Sequence, residues 1–404
     1  MKFIPSLDKN FTPMILELRK YQASVAKAQK KQEVIFCLER SHGYNYFYNI
    51  ETFVDGTGHD EENFAMLERI VKSLFWIVGG YKLYVAGSKF IAEQLQKAYS
   101  SGGIREFDYE FMSNVYSQPV TILFVKKEDL PAPNFEAVSF NNDLNGCRIG
   151  FDAGGSDRKV SAVMDGEVLY SEETVWYPKI TADPEYHYQG ILESMKKAAS
   201  YLPRVDAIGV SSAGIYVDNK IRVASLFLKV NKEDFKRRVE TMYIDVAKEF
   251  GDVPLVVAND GDVTALAGAM ELNDNQVLGI AMGTSEAAGY VDEAGQLKGW
   301  LNELAFVPVD THKEAMVDEW SLDYGCGVKY FSQDAVIKLA KPAGIELDEN
   351  LAPAQKLKIV QKLNEEGDPR ANEIFENIGI YLGYTLAYYA HFYQIKHVLL
   401  LGRV

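Results

Sequence analysis

The chain has 404 residues, 47% of them hydrophobic, and its 57 acidic and 42 basic side chains give a formal charge of −15. That length supports more than one core-bearing domain, and the acidic balance argues against nucleic acid or an anionic membrane surface as partner. Cys37, Cys147 and Cys326 stand far apart with no CxxC pair, which suits a reducing, cytoplasmic setting, and no apolar run approaches a membrane span or a signal peptide.

Thr12-Pro13 before MILELRKYQASVAKAQKK reads as a helix start, with Thr12 as hydroxyl cap and proline at the first helical position. Two β-like runs at 33–39 and 44–54, split by Ser41-His42-Gly43, predict a hairpin. Over 60–78, Phe64, Leu67, Ile70, Val71 and Leu74 share one helical face, and Gly79-Gly80 stop that helix before the strand YKLYVAG. A helix at 88–99 and the strand VTILFVKK follow. The stretch near 127–146 then holds two prolines and no sustained periodicity, and marks a boundary between an N-terminal α/β domain, 1–146, and a second domain, 147–404.

From Cys147 onward strands and helices alternate, which predicts a mixed α/β architecture. IGFDAGG and KVSAVMDGEVLYSEETVW form an apolar hairpin. A helix at 188–201 leads to the strand VDAIGVSSAG, and a helix at 232–250 leads to PLVVANDGD, after which VTALAGAME begins a helix of small residues. Residues 275–299 repeat the first hairpin's grammar of apolar strand, small-residue turn and apolar strand, so two related halves are expected. A Tyr/Ala-rich helix at 378–394 and the strand HVLLLGRV close the chain.

Several of these turns carry residues with chemical potential. Glycines between two strands let backbone N–H groups approach phosphate oxygens, and a strand-end carboxylate such as Asp152 can hold magnesium through water. Asp260, at another strand's end, is the candidate general base; the competing reading is an Asx turn capping the next helix, a task for which Asp262 is the better-placed N-cap. His187 and His391 sit among aromatic residues and read as packing groups.

Four blocks in order resemble the ROK family of sugar kinases and repressors, within the sugar-kinase, Hsp70 and actin superfamily. Gly150-Phe151-Asp152-Ala153-Gly154-Gly155-Ser156 is similar to the family's first phosphate loop, GxDxGGT. Ala258-Asn259-Asp260-Gly261-Asp262-Val263-Thr264-Ala265 resembles the stretch with the catalytic aspartate, Gly279-Ile280-Ala281-Met282-Gly283-Thr284-Ser285 the second phosphate loop, and Leu400-Leu401-Gly402-Arg403-Val404 the adenosine-contacting LGGGV. The resemblance covers roughly 148–404. It implies a ribonuclease-H-like, actin-like two-lobed kinase fold preceded by a separate α/β domain.

The activity so implied is phosphoryl transfer from Mg-ATP to a hydroxyl of a hexose or amino sugar. Asp260 would be base, Asp152 would hold magnesium, and Gly154, Gly155, Ser156, Gly283, Thr284, Ser285 and Gly402 would contact nucleotide. Asn259 and Glu303 would bind sugar, together with Ser212 and Gly214 of a segment resembling the SxPGxxD loop. The partners implied are a sugar and a nucleotide, with room for a homodimer. Family kinases continue past the adenosine element through closing helices, so the chain is expected to continue beyond Val404.

This sequence departs from the family in three places. Asn302-Glu303-Leu304-Ala305-Phe306 matches the GExGH element but carries Phe306 for the histidine, and 323–330 keeps only Cys326 of three zinc-binding cysteines, so no structural zinc is expected. Asp157 stands where lysine is common, and Glu286, Ala287 and Ala288 replace much of the second loop's glycine run. Negative charge there opposes a polyphosphate, which keeps a second reading open: a catalytically weak sugar- or nucleotide-binding sensor, or, further off, a nucleotide hydrolase. Arg158 and Lys159 are adjacent, and because side chains alternate along a strand, Asp157 can point away while a basic neighbour faces the cleft; the sequence leaves both arrangements open.

Overall fold

A computed structural model describes residues 1–135 and 145–404. The chain folds as two compact units, one comprising Met1–Glu136, Asn275–Ala288 and Trp300–Val404, the other Ala137–Asp274 and Gly289–Gly299. The sequence divides the chain once, near 127–146, a stretch whose residues 136–144 lie outside the described residues. In the structure the first 135 residues share a unit with the chain's last hundred, because their helix faces are buried against those residues rather than on one another alone.

The first unit opens with α1 (Met14–Ala26), whose Met14, Ile15, Leu18, Tyr21 and Val25 are buried. Thr12 does not cap it. Pro13 takes the cap position, and the Thr12 hydroxyl donates to the carbonyl of Asn10. β1 (Lys31–Glu39) and β2 (Asn45–Phe53) form the expected hairpin, turned at His42 and Gly43, both with positive φ. α2 (Asp60–Ile77), β3 (Lys82–Ala86), α3 (Lys89–Ala98), α4 (Glu106–Tyr116) and β4 (Thr121–Phe124) follow, giving a sheet ordered β2-β1-β3-β4. α4 has no counterpart in the sequence reading.

The second unit is built on β5 (Cys147–Ala153), β6 (Asp157–Met164), β7 (Glu167–Val175), α5 (Pro184–Ala199) and β8 (Ala207–Ser212). A small ribbon of β9 (Ile215–Val217) and β10 (Lys220–Val223) precedes the one-turn α6 (Lys232–Asp234), α7 (Met242–Lys248), β11 (Leu255–Asn259) and α8 (Asp260–Leu272). The sheet order is β11-β8-β5-β6-β7, with β8 parallel to β5 and to β11, and β6 antiparallel to both of its neighbours. Ile149, Phe151, Val160, Ala162, Ile208 and Val210 point into a core shared with Ile191 and Met195 of α5 and Met242 and Val246 of α7. Strand alternation therefore leaves Gly150, Asp152, Lys159, Gly209 and Ser211 on the other face.

The chain returns to the first unit in β12 (Val277–Met282) and the start of β13 (Glu286–Val291), then in α9 (Gln333–Ala340), α10 (Pro353–Glu365), α11 (Pro369–Tyr389) and β14 (His397–Gly402). β14 lies parallel to β12, with Met282 opposite Gly402. The mixed α/β class read from the sequence is the class of the structure. No helix of the described residues is long and apolar enough to cross a membrane.

Candidate active site

The first glycine loop joins β5 to β6 and is pinned from one side. Trp176, which follows β7, donates from its indole to the Gly154 carbonyl at 2.8 Å and from its backbone to the Ser156 carbonyl at 3.1 Å. Because a trans peptide points N–H and C=O in opposite directions, the N–H groups of Gly155 and Asp157 turn away from Trp176. A Cβ on Gly155 would lie 2.9 Å from the Lys179 ammonium, so a cation stands over the loop that the sequence reading did not identify.

Asp157 resolves the question left by the sequence. Arg158 is turned to the core side, where its Nε donates to the Ser194 hydroxyl at 2.8 Å and its guanidinium lies against the Trp176 ring. Asp157 and Lys159 therefore share the face of Asp152. The Asp157 carboxylate accepts from the Ser156 hydroxyl at 2.9 Å, is 3.7 Å from the Lys159 ammonium, and would sit 3.3 Å from a Cβ on Gly154. The acid folds back over the loop, and Lys159 partly neutralises it.

The non-core face of the sheet and α8 line an open cleft of about 430 Å³, bordered among others by Gly150, Asp152, Lys159, Ser211, Val256 and Leu266. Ser212, expected to contact substrate, is instead fully buried and accepts from Tyr243 at 3.3 Å. The period of two places it on the core face with Val210, and its neighbour Ser211 takes the open face.

Asp260 is the first residue of α8. Asn259 is the N-cap, its side-chain oxygen accepting from Gly261 N–H at 2.7 Å while its amide donates to the Gly214 carbonyl at 2.7 Å. The cap expected of Asp262 thus belongs to Asn259, and Asp262 is buried, accepting from Tyr290 N–H. Gly214 has φ +140 and a Cβ there would be 2.3 Å from the Val223 carbonyl, so its role is to bring a carbonyl under Asn259. With capping done by its neighbour, the Asp260 carboxylate meets only backbone N–H groups, that of Gly261 at 3.0 Å to Oδ1 and its own, and no cation. Crowding by protein pushes its carboxyl above the usual range, the Gly261 N–H draws it back in part, and the charge of Asp152 adds to the rise.

In the first unit, Gly283 donates its N–H to the Ser285 carbonyl and accepts Gln333 N–H at 2.8 Å, while Thr284 and Ser285 are exposed. Gly402 has φ +109, and a Cβ there would be 1.9 Å from the Met282 carbonyl, so β14 can approach β12 at this point only as glycine. Half-buried Glu303 is seated on the end of α2: its N–H donates to the Trp76 carbonyl and that of Asn302 to the Ile77 carbonyl. Phe306 stacks on Trp76 with ring centroids 4.1 Å apart.

The region of the missing zinc ligands is occupied by charge. Asp323 accepts from Arg69 at 2.5 Å and from Lys72 at 2.6 Å, and Arg105 lies 2.8 Å away and also bonds Glu68. Lys72 is also 3.7 Å from the Cys326 sulfur. Burial opposes ionisation of Asp323, yet Lys72, Arg69 and Arg105 together hold its carboxyl below the usual range. All three cations come from the N-terminal 135 residues. In the second unit, His187 is fully buried between the carbonyls of Asp183 and Pro178, in the packing role expected of it.

No family model and no curated protein sequence matches the chain. Its structure is similar to that of the ROK hexokinase of Thermus thermophilus, over 64% of this chain and 82% of that one, at 18% identity and a TM-score of 0.50. A ROK glucokinase from Streptomyces griseus, solved with glucose and AMPPNP, is 21% identical over 64% of this chain and 83% of its own, with a TM-score of 0.44. A ROK transcriptional regulator homologous to the Escherichia coli Mlc protein is 19% identical over 64% and 66%, with a TM-score of 0.47. What such distant likeness shows is the fold alone: the chain is folded like the Thermus thermophilus hexokinase over the matched region.

Proposed function

We propose that the protein transfers the γ-phosphoryl group of ATP to a hydroxyl of a hexose or amino sugar, with Asp260 as general base. The observation that carries this reading is Asp260 itself: an aspartate at the start of α8 raised above its usual range, freed from capping by Asn259, and bonded by backbone N–H groups rather than by any cation. Such a group accepts a proton from an alcohol as the alcohol oxygen becomes a nucleophile. Mg-ATP, when bound, supplies the transferable group and neutralises its charge. Asp152 suits a magnesium-bound water, the turned N–H of Gly155 and the Lys179 ammonium suit phosphate oxygens, and Thr284, Ser285 and Gly402 would contact nucleotide. Glu303 would bind sugar hydroxyls; Asn259, whose amide groups are engaged, would orient Asp260 more than it binds sugar.

The carboxylate of Asp157 over the first loop favours a second reading, a sugar- or nucleotide-binding sensor with weak catalysis. Calorimetry with Mg-ATP, followed by a coupled ADP assay over a panel of hexoses and amino sugars, separates the two. Sugar-dependent ADP release is expected. Nucleotide binding without turnover would favour the sensor, absence of nucleotide binding would overturn the kinase, and ADP release independent of sugar would indicate a hydrolase.

A further inference from the structure

The turn after β7, residues 176–183, carries the lysine that stands over the first glycine loop. Lys179 is exposed, has no ion-pair partner among the described residues, and its ammonium lies 2.9 Å from where a Cβ on Gly155 would be. A lysine on an exposed turn is ordinarily free to swing, and its long stem loses entropy when it settles on an anion. Here the turn behind it is tied to the start of α5 at two consecutive residues. Tyr177 N–H donates to the Tyr186 hydroxyl at 3.0 Å, and the Pro178 carbonyl, part of the peptide joining Pro178 to Lys179, lies 3.1 Å from His187 Nε2. The other ring nitrogen, Nδ1, lies 3.0 Å from the Asp183 carbonyl at the far end of the turn.

His187 is fully buried, and three aromatic rings surround it, with centroids 5.0 Å away for Phe227, 5.6 Å for Tyr186 and 6.2 Å for Trp176. Packing alone would be served by an apolar side chain, since burying a polar ring costs free energy unless its nitrogens find partners. Both nitrogens here face carbonyl oxygens, which only accept. A neutral ring donates to one end of the turn or the other, and a doubly protonated ring to both. The neighbouring Trp176 bonds the carbonyls of Gly154 and Ser156. One continuous set of contacts therefore holds the glycine loop, through Trp176, and the lysine above it, through Tyr186 and His187.

We propose that Tyr186 and His187 are positioning residues for phosphate binding: they fix the turn that presents Lys179 to a phosphate oxygen at Gly155. This rests on the first glycine loop being the phosphate site of the reading above, and its test reads affinity before turnover. Calorimetry on the full chain measures binding of Mg-ATP and of inorganic tripolyphosphate. Lys179→Met is expected to weaken both about fivefold, the loss of one charge contact in watery surroundings. His187→Leu and Tyr186→Phe are each expected to weaken them about two- to fivefold, because they loosen the lysine without removing it. Combined with Lys179→Met, neither is expected to add a further loss, since a residue that acts only through Lys179 then has nothing left to position. Losses that add, the result expected of a general softening of α5, would overturn the proposal, as would unchanged affinity in Lys179→Met. Should His187→Leu fail to fold, Tyr186→Phe, at a position 37% exposed, decides by the same cycle. The expected cycle together with ADP release that needs no sugar would support this proposal while dismissing the kinase. A wild-type chain that binds neither probe would overturn both.

Discussion

Asp323 of the first unit is buried and Asp260 of the second is exposed at the start of α8, and their surroundings shift the two aspartates in opposite directions. Asp323 meets Arg69, Lys72 and Arg105, all within 2.8 Å, and is held ionised below the usual range. Asp260 meets only backbone N–H groups and the repelling charge of Asp152, and is raised. A carboxylate saturated with cations has no capacity left for a substrate, so Asp323 ties elements together. A carboxylate without a cation and with a raised proton affinity is suited to accept a proton. The contrast separates an acid that ties elements together from the one proposed as general base, although a motif scan sees the same residue type.

Exchanging each acid breaks that contrast most directly. Asp260→Asn is expected to lower sugar-dependent turnover about 10²- to 10⁴-fold while leaving the unfolding midpoint nearly unchanged. A loss of stability with little loss of rate would reverse its assignment. Asp323→Ala removes the carboxylate shared by Arg69, Lys72 and Arg105, leaving Glu68 as the remaining partner of Arg105, and is expected to cost about 3–5 kcal/mol in denaturant unfolding. A cost under about 1 kcal/mol would mean that the cluster is not holding the fold.

Acid titration sharpens the same comparison. The stabilisation from Asp323 is complete above its unfolded value of about 3.9 and is lost as pH falls through its lower folded value, so the Asp323→Ala deficit should narrow only in strong acid. Turnover needs Asp260 ionised and should fall on the acid side with a midpoint above about 3.9. Asp157→Asn, which removes one like charge from the loop, is expected to tighten Mg-ATP binding about fivefold, the scale of ~1 kcal/mol for charges ~4 Å apart in watery surroundings. Unchanged affinity would place the phosphates elsewhere. Smallest of all, Ser212→Ala should cost about 1 kcal/mol of stability and leave the KM for sugar unchanged, since that hydroxyl faces Tyr243 in the core.

Much of the architecture was legible in the sequence because it depends on local pattern. The β1–β2 hairpin, the amphipathic α2, the alternation from Cys147 onward and the small-residue turns at Gly154-Gly155 and Gly283 all announce themselves in period and turn chemistry. α4 escaped because the aromatic residues of EFDYEFMSNVY favour strands as readily as helices; Phe107 and Phe111 make sense only against Trp76 and Phe306. The side of a strand on which a residue falls was equally hidden. Ser211 and Ser212 are interchangeable in a motif, yet one residue of register sends one to the open face and the other to the core.

By itself, the sequence determined the order of elements, the glycine turns and the strand-end acids Asp152 and Asp260, because each is written in spacing over a few residues. Tertiary structure alone decided which side Asp157 and Arg158 take, that Asn259 caps α8 and frees Asp260, and that α2 supports both Glu303 and Asp323. Those outcomes depend on groups brought together from distant positions: Arg69 and Asp323 are 254 residues apart. Charge pairing and burial act through space, and no local pattern encodes them.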